Sequence, residues 1–139
     1  MNDLENIQRL TERFKRQMPD GEVYQRRLAE EFELILKQRF TEYFFKICDI
    51  IDLTQDVKHM TRGSAGSSLV CYLLGITDVD PVKWNIPVAR FLNPLRDDLP
   101  DVDIDFEHWR QKDIMERIFK NWPGKTARIS NYVTYQPKS

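Results

Sequence analysis

Long apolar runs are missing from this sequence of 139 residues, and their absence excludes several classes of protein. No run approaches the roughly 20 apolar residues that a membrane-spanning helix needs, so we expect no membrane partner. The first residues also lack a basic start followed by an apolar segment, which argues against a secretory signal. We therefore expect a cytoplasmic protein.

Cysteines are few, and the chain has no net positive charge. The two cysteines, Cys48 and Cys71, lie inside apolar segments without a histidine at ligand spacing, which predicts buried thiols rather than a zinc site or a disulfide. The net charge of −1 argues against a free-standing nucleic-acid binder, whose affinity usually rests on a basic surface. Any DNA contact would need local patches or parts outside this chain.

The composition that remains is that of one soluble domain, with 41% hydrophobic and 31% charged residues. Apolar residues at helical spacing predict helices over 2–18, 22–38 and 41–53. The third is the richest in apolar side chains and is predicted to be buried on most sides. The charged residues of the second are predicted to form a solvated face. They are Arg26, Arg27, Glu30, Glu31 and Glu33.

The rest of the chain is predicted as short elements. Residues 55–61 indicate a polar connector in which His59 has no chemistry, and residues 88–92 indicate one buried helical turn. Apolar spacing around 114–122 predicts a helix that ends before Pro123 and Gly124. Residues 127–135 are predicted to form a strand.

A run of small residues at 62–68 precedes a predicted helix over residues 69–74. Glycine lets the backbone approach a ligand closely, and serine supplies hydroxyl donors and a helix N-cap. The free N–H groups of the helix would then face a phosphate, together with the Ser64 hydroxyl and the Arg62 charge. A plain capped helix after a turn explains this stretch equally well, and both interpretations stay open here.

Residues 101–106 alternate between aspartate and apolar side chains. A strand repeats every two residues, so Asp101, Asp103 and Asp105 would share one face. Like charges on one face repel, which predicts a bound cation, and carboxylate oxygens favour Mg²⁺ or Mn²⁺. Chance placement on the surface is the alternative. An EF-hand loop is excluded, because its sixth and twelfth positions would hold Phe106 and Lys112 instead of glycine and glutamate.

Several motifs occur together in a fixed order. They are Arg62-Gly63-Ser64-Ala65, Ser68-Leu69-Val70, residues 72–81 (YLLGITDVDP), residues 90–94 (RFLNP) and residues 100–106 (PDVDIDF), with the similar segment 24–51 upstream. In this combination the sequence resembles the alpha subunit of bacterial DNA polymerase III, a family C replicative polymerase. The resemblance covers roughly residues 24–135.

The resemblance implies an α+β fold. A helical segment over residues 1–55 would pack on a partial palm over residues 56–139, of the DNA polymerase beta-like nucleotidyltransferase kind. It implies DNA-directed DNA polymerisation by two-metal catalysis, with Mg²⁺ or Mn²⁺ as cofactor. The expected partners are a dNTP, primer–template DNA and a second polymerase chain that supplies the rest of the palm and the fingers.

The resemblance also assigns roles to residues. Gly63 and Ser64, helped by Arg62, would bind the phosphates of the incoming nucleotide. Asp101 and Asp103 would be the catalytic carboxylates that bridge the metal ions. Asp105 is a further metal candidate on the same face, and Arg90 and Arg96 match positions near the phosphates.

The sequence departs from the family pattern at several positions. Residues 59–61 (His-Met-Thr) replace a Gly-Pro-Gly run, which predicts a stiffer loop, and Ser67 stands where glycine is usual. The family uses a further aspartate on a later strand, beyond Ser139. We therefore expect this chain to act as a fragment of a polymerase and not to polymerise alone. The alternatives are a non-catalytic nucleotide- and metal-binding interaction module and an unrelated nucleotidyltransferase.

Overall fold

Helices and one small sheet make up the regular structure in the computed structural model, which describes residues 2–96 and 98–128. The helices are α1 (Asp3–Glu12), α2 (Glu22–Lys37), α3 (Thr41–Leu53), α4 (Leu69–Leu73) and α5 (Gln111–Asn121), and the strands are β1 (His59–Arg62) and β2 (Asp103–Phe106). Short 3₁₀ helices cover Gly63–Ser67, Val88–Arg90 and His108–Arg110. This mixture is compatible with the predicted α+β class.

Four predicted helical segments are confirmed within a few residues: α2, α3, α4 and α5. The turn predicted over 88–92 is the 3₁₀ helix Val88–Arg90. The predicted stop at Pro123 and Gly124 is also confirmed, because α5 ends at Asn121. The strand predicted over 127–135 falls almost entirely beyond residue 128, outside the described residues.

The first helix is shorter than its apolar spacing predicted, ending at Glu12 instead of continuing to residue 18. The N–H groups of Lys15 and Arg16 both donate to the carbonyl of Leu73, at 2.7 and 3.1 Å, instead of to the preceding helical turn. The Arg16 guanidinium donates to the carbonyls of Tyr72 and Thr77, each at 2.6 Å. Long-range contacts with α4 therefore end the helix.

The hydrophobic core is one cluster centred on α3. Phe44, Ile47 and Ile51 of α3 are buried, as predicted for this helix, and the Phe44 ring meets Phe91 edge-on with centroids 6.1 Å apart. The cluster runs from Leu10 to Leu92 and therefore includes residues on both sides of the boundary predicted at residue 55. The division into 1–55 and 56–139 stays a prediction.

The sheet consists of β1 and β2 in antiparallel pairing. Residues 59–61 are therefore strand and not connector, so that prediction is wrong; their partners lie more than 40 residues later and leave no local signal. Arg62 pairs with Asp103, and the ladder ends there because the chain turns at Gly63 with a φ of +80°. Asp101 and Val102 therefore precede the strand, although burial alternates from Asp101 onward as predicted.

Helix α5 is fixed by ion pairs. Asp56, just after α3, accepts from Arg117 at 2.6 and 2.9 Å and from Arg110 at 2.9 Å, and both arginines also bond Asp113. The hydrogen bonds from Arg117 and then Arg110 hold the pKa of Asp56 well below its usual value. This network therefore ties α5, which follows β2, to the residues just after α3.

The two thiols are buried and free, as the sequence predicted. Burial raises the pKa of Cys48 to about 11, so it stays protonated at neutral pH. None of the helices in the described ranges combines the length and apolar character needed to cross a membrane.

Candidate functional site

The small-residue run forms a tight 3₁₀ turn between β1 and α4. Gly63 begins it with a φ of +80°, a backbone angle that side-chain-bearing residues rarely adopt. The Ser67 hydroxyl donates to the carbonyl of Ser64 at 2.6 Å, and Ser68 caps α4 by accepting from the N–H of Cys71 at 3.1 Å. The predicted turn and its serine cap are confirmed.

The N-terminus of α4 already holds an anion from within the chain. The carboxylate of Glu31, fully buried, accepts from the N–H groups of Leu69 at 2.7 Å and Val70 at 3.1 Å and from the Ser68 hydroxyl at 2.7 Å. The sequence left two interpretations open, in which these N–H groups face a phosphate or belong to a plain capped helix. The structure favours the second for these groups, because Glu31 occupies them and satisfies the helix dipole.

The acidic strand lies beside the turn. The ladder pair Arg62–Asp103 brings the first residue of β2 next to Gly63. A Cβ atom on Gly63 would lie 3.3 Å from Oδ2 of Asp103, closer than an ordinary van der Waals contact. Because glycine has no side chain, the Asp103 carboxylate can occupy this position. The turn and the acidic strand are therefore in direct contact.

Arg62 faces the acidic strand. Its guanidinium pairs with Asp105 through two contacts, Nε with Oδ2 and Nη2 with Oδ1, the latter at 3.1 Å. Both side chains are substantially exposed, at 67% and 49%. Arg62 and Asp105 thus neutralise each other, whereas Asp101 and Asp103 are exposed carboxylates on the same face.

Tyr43 on α3 holds the chain just before the aspartates. Its hydroxyl donates to the carbonyl of Pro100, which fixes the approach to Asp101. Burial, followed by the negative charge of Asp101, raises the pKa of Tyr43. The hydroxyl therefore stays a donor at neutral pH.

Two pockets share Ser64 and Arg90 as lining residues. One, of about 590 Å³, lies along the turn. Its lining is Gly63, Ser64, Gly66, Ser67, Val79, Ile86 and Arg90. The other, of about 360 Å³, extends from Ser64 to Asp101 and includes Gln38 and Arg96. In the part of the chain described, neither Arg90 nor Arg96 has an ion-pair partner, so both cations are available to an anionic ligand.

The donor set fits a divalent cation in part. Asp101 and Asp103 offer carboxylate oxygens, the ligands that Mg²⁺ prefers, that have no side-chain partner among the described residues, and Gly63 keeps Asp103 unobstructed. Asp105 is held by Arg62. Within residues 2–96 and 98–128 no group of three or more His, Cys, Asp or Glu side chains is placed to share one metal.

Substituting Gly63 tests this geometry. We expect Gly63→Ala to destabilise the chain by about 1–2 kcal/mol through its positive φ and also to weaken Mn²⁺ binding by displacing Asp103. Gly124→Ala is the matched control, because Gly124 has a φ of +77° and no atom within 4 Å of an added Cβ. Urea unfolding and Mn²⁺ titration give the two readouts. Equal losses of Mn²⁺ affinity in the two variants would contradict the role of Gly63.

Residues of α2 that were not predicted as part of the site hold its loops in place. Arg27 and Glu31 were predicted to be solvated, yet both are inside, with side-chain exposures of 13% and 0%. Their spacing of four residues was a signal for an ion pair, but the same spacing occurs on solvated helices. Gln38, which donates to the carbonyls of Asn93 and Arg96, gave no signal in the sequence.

Comparison with known proteins agrees with these features. The sequence matches the family described as the bacterial DNA polymerase III alpha NTPase domain over residues 4–139. The chain belongs to this family. The resemblance found in the motifs is thereby confirmed for the DNA polymerase III alpha family.

Curated relatives of this DNA polymerase III alpha segment are error-prone DNA polymerases. The protein of Cutibacterium acnes is 38% identical over 123 residues, which cover 86% of this chain and 11% of that protein. One from Rhodopseudomonas palustris is 35% identical and covers 96% of this chain and 12% of its own length. One from Pseudomonas syringae is 37% identical, with coverages of 93% and 13%. The chain thus spans about a tenth of these relatives.

Proposed function

We propose that this chain forms part of the polymerising centre of a DNA-directed DNA polymerase, which transfers a nucleotidyl group from a dNTP to a primer 3′-hydroxyl. The observation that carries the proposal is the contact between the turn and the acidic strand, where Gly63 makes room for Asp103. Nucleotidyl transfer needs phosphate-binding groups and metal-binding carboxylates side by side, since the metal bridges to the phosphates. Membership of the polymerase family supports the same reaction.

Asp101 and Asp103 are the proposed catalytic carboxylates. They would hold Mg²⁺ or Mn²⁺, which when bound activates the primer 3′-hydroxyl and neutralises the leaving pyrophosphate. Both lie exposed on the face that carries Arg62. Asp105 is the weaker metal candidate, because it would first have to release Arg62.

The proposed phosphate-binding residues are Gly63, Ser64 and Arg62, joined by Arg90 and Arg96. Ser64 lines both pockets, so it is next to a ligand in either one. The guanidinium groups of Arg90 and Arg96, which have no ion-pair partner within residues 2–96 and 98–128, suit a triphosphate, since arginine binds phosphate oxygens through two parallel N–H donors. Arg62 reaches a phosphate only after its pair with Asp105 opens.

The palm fold and the partners belong to the same proposal. The two described strands would be part of a larger palm sheet, with the fingers and a further carboxylate supplied by other polymerase segments or by a second chain. Primer–template DNA would contact the assembled enzyme. A cytoplasmic location stays a prediction.

Titration of the chain with Mg²⁺–dATP tests the ligand assignment. We expect saturable binding with a dissociation constant of about 1 mM or lower, and a loss of about tenfold in Arg90→Ala and in Arg96→Ala, since each removes charge-assisted hydrogen bonds. Arg26→Ala is the control, because Arg26 is exposed on α2 and its ion-pair partner in the described part of the chain is the exposed Glu22. No saturable binding, or equal losses in the control, would refute the assignment.

An incorporation assay distinguishes the polymerase hypothesis from the hypothesis of a non-catalytic interaction module. The polymerase hypothesis predicts template-directed incorporation once the chain is part of a complete polymerase. Binding of Mg²⁺–dATP without incorporation in that assembly would favour the interaction module.

A further inference from the structure

Arg27 links two segments that line the pocket along the turn. Its Nη2 donates to the carbonyl of Ser67 and to the carbonyl of Ile86, each at 2.6 Å. Its Nε donates to Glu31 at 2.9 Å, and Glu31 in turn holds the start of α4. Ser67 and Ile86 both line the pocket of about 590 Å³, so one buried side chain fixes the spacing of two parts of its lining.

Gln38 does the same for the second pocket. Its Nε2 donates to the carbonyl of Asn93 at 2.8 Å and to that of Arg96 at 2.7 Å. The side chain of Asn93 closes the turn between them by accepting from the N–H of Leu95 at 2.9 Å. Gln38, Asn93 and Arg96 all line the pocket of about 360 Å³.

Both side chains belong to one rigid element. Arg27 lies in the first half of α2 and Gln38 is its C-cap residue. Gln38 lies eleven positions after Arg27, a separation of about 16 Å along the helix axis at 1.5 Å per residue. Through these two side chains the helix donates hydrogen bonds to four backbone carbonyls in the loops around the pockets. It therefore fixes those loops relative to each other.

We propose that α2 is the positioning element of the nucleotide site, with Arg27 and Gln38 as positioning residues that set the relative placement of the glycine–serine turn and the loop carrying Arg96. The ligand in this inference rests on the proposed function, whereas the positioning of the loops does not. Neither residue touches the reacting atoms in this assignment. They act through the backbone of Ser67, Ile86, Asn93 and Arg96.

Two conservative variants separate positioning from simple stability. Arg27→Lys keeps the positive charge beside Glu31 but lacks the planar fork that reaches two carbonyls at once. Gln38→Met keeps the length of the side chain and removes the donor. Ile51→Val is the control, because Ile51 is buried in α3 and lines neither pocket.

Three measurements on the full chain decide whether Arg27 and Gln38 position the loops or only stabilise the fold. They are melting temperature, amide hydrogen exchange and affinity for Mg²⁺–dATP. We expect Arg27→Lys to speed exchange in residues 63–68 and Gln38→Met to speed it in residues 93–96, with affinity falling about tenfold in each. We expect Ile51→Val, compared at an equal distance below its own melting temperature, to leave both loops and the affinity unchanged.

The outcomes distinguish this inference from the proposed function. If the wild type binds no nucleotide, the proposed function fails, and the exchange rates alone decide whether α2 positions the loops. If all three variants speed exchange uniformly over the chain, Arg27 and Gln38 are merely structural and the inference is wrong. If the loops loosen without any loss of measurable nucleotide affinity, the positioning has no bearing on the ligand and the inference is also wrong.

Discussion

Asp103→Asn should abolish nucleotide incorporation by a polymerase that contains this segment, with a loss of about a thousandfold or more. A carboxylate that holds a catalytic metal contributes several kcal/mol to the stabilisation of transition-state charge, and each 1.36 kcal/mol is worth about a factor of ten in rate. Asn keeps the shape of the side chain and one oxygen but loses the negative charge. Primer extension under single-turnover conditions measures the loss.

The fold should survive this substitution. Asp103 is exposed at the start of β2, between Asp101 and Asp105 and opposite Arg62, whose guanidinium pairs with Asp105. Removing its charge relieves repulsion from the two aspartates, which offsets the weaker attraction to Arg62. We expect an unchanged circular dichroism spectrum and a melting temperature equal to or slightly above that of the wild type. Mn²⁺ affinity of the chain should fall in parallel with incorporation.

Asp105→Asn is the matched control for Asp103→Asn. It makes the same chemical change on the same face of the same strand, but at a residue that is paired with Arg62. We expect a much smaller loss of Mn²⁺ affinity than in Asp103→Asn. Incorporation at the wild-type rate by Asp103→Asn would show that Asp103 is not a catalytic metal ligand. Equal losses of Mn²⁺ affinity in the two variants would instead show that Asp105 is a full metal ligand.

Local sequence signals were sufficient to predict a helix where its ends depend only on nearby residues. The boundaries of α2 and α3 follow from apolar spacing and from the turn residues beside them. The end of α1 does not, because the carbonyl of Leu73 takes the N–H groups of Lys15 and Arg16. β1 was missed for the same reason, since its pairing partner Phe106 lies far along the chain from His59.

The residues of the candidate site could be predicted from local motifs, whereas their long-range contacts could not. Gly63, Ser64, Asp101 and Asp103 were predicted from short motifs and from the family resemblance, and the structure brings the turn and the strand into contact. The pairing of Arg62 with Asp105 depends on the register of β1 against β2, which no local pattern contains. The motifs therefore name the residues of the site, while the long-range pairing decides which of their charges remain free.

The second large effect is expected from Glu31→Ala, which should destabilise the chain by about 3–5 kcal/mol. Removing one partner of a buried ion pair leaves the other charge without its counter-ion in a medium of low polarity, and Arg27 would keep only its hydrogen bonds to the carbonyls of Ser67 and Ile86. Here the charge left behind is that of Arg27, whose side chain is only 13% exposed. Stabilities of natural domains are about 5–15 kcal/mol, so the loss would remove a large part of the total.

Urea unfolding of three variants measures this cost. Glu30→Ala is the control, because it makes the same change one residue earlier on α2 at an exposed position, where about 0.5 kcal/mol is expected. Glu31→Gln keeps the size of the side chain and one acceptor oxygen. It should cost about 1–3 kcal/mol and remain measurable if Glu31→Ala does not fold.

The size of the Glu31 effect follows from the number of groups that depend on one carboxylate. Ser68, Leu69, Val70 and Arg27 all donate to it, so its removal leaves four donors without an acceptor in the interior. A loss below about 1 kcal/mol in Glu31→Ala would mean that these donors find other partners, and that α4 does not need an anion at its N-terminus.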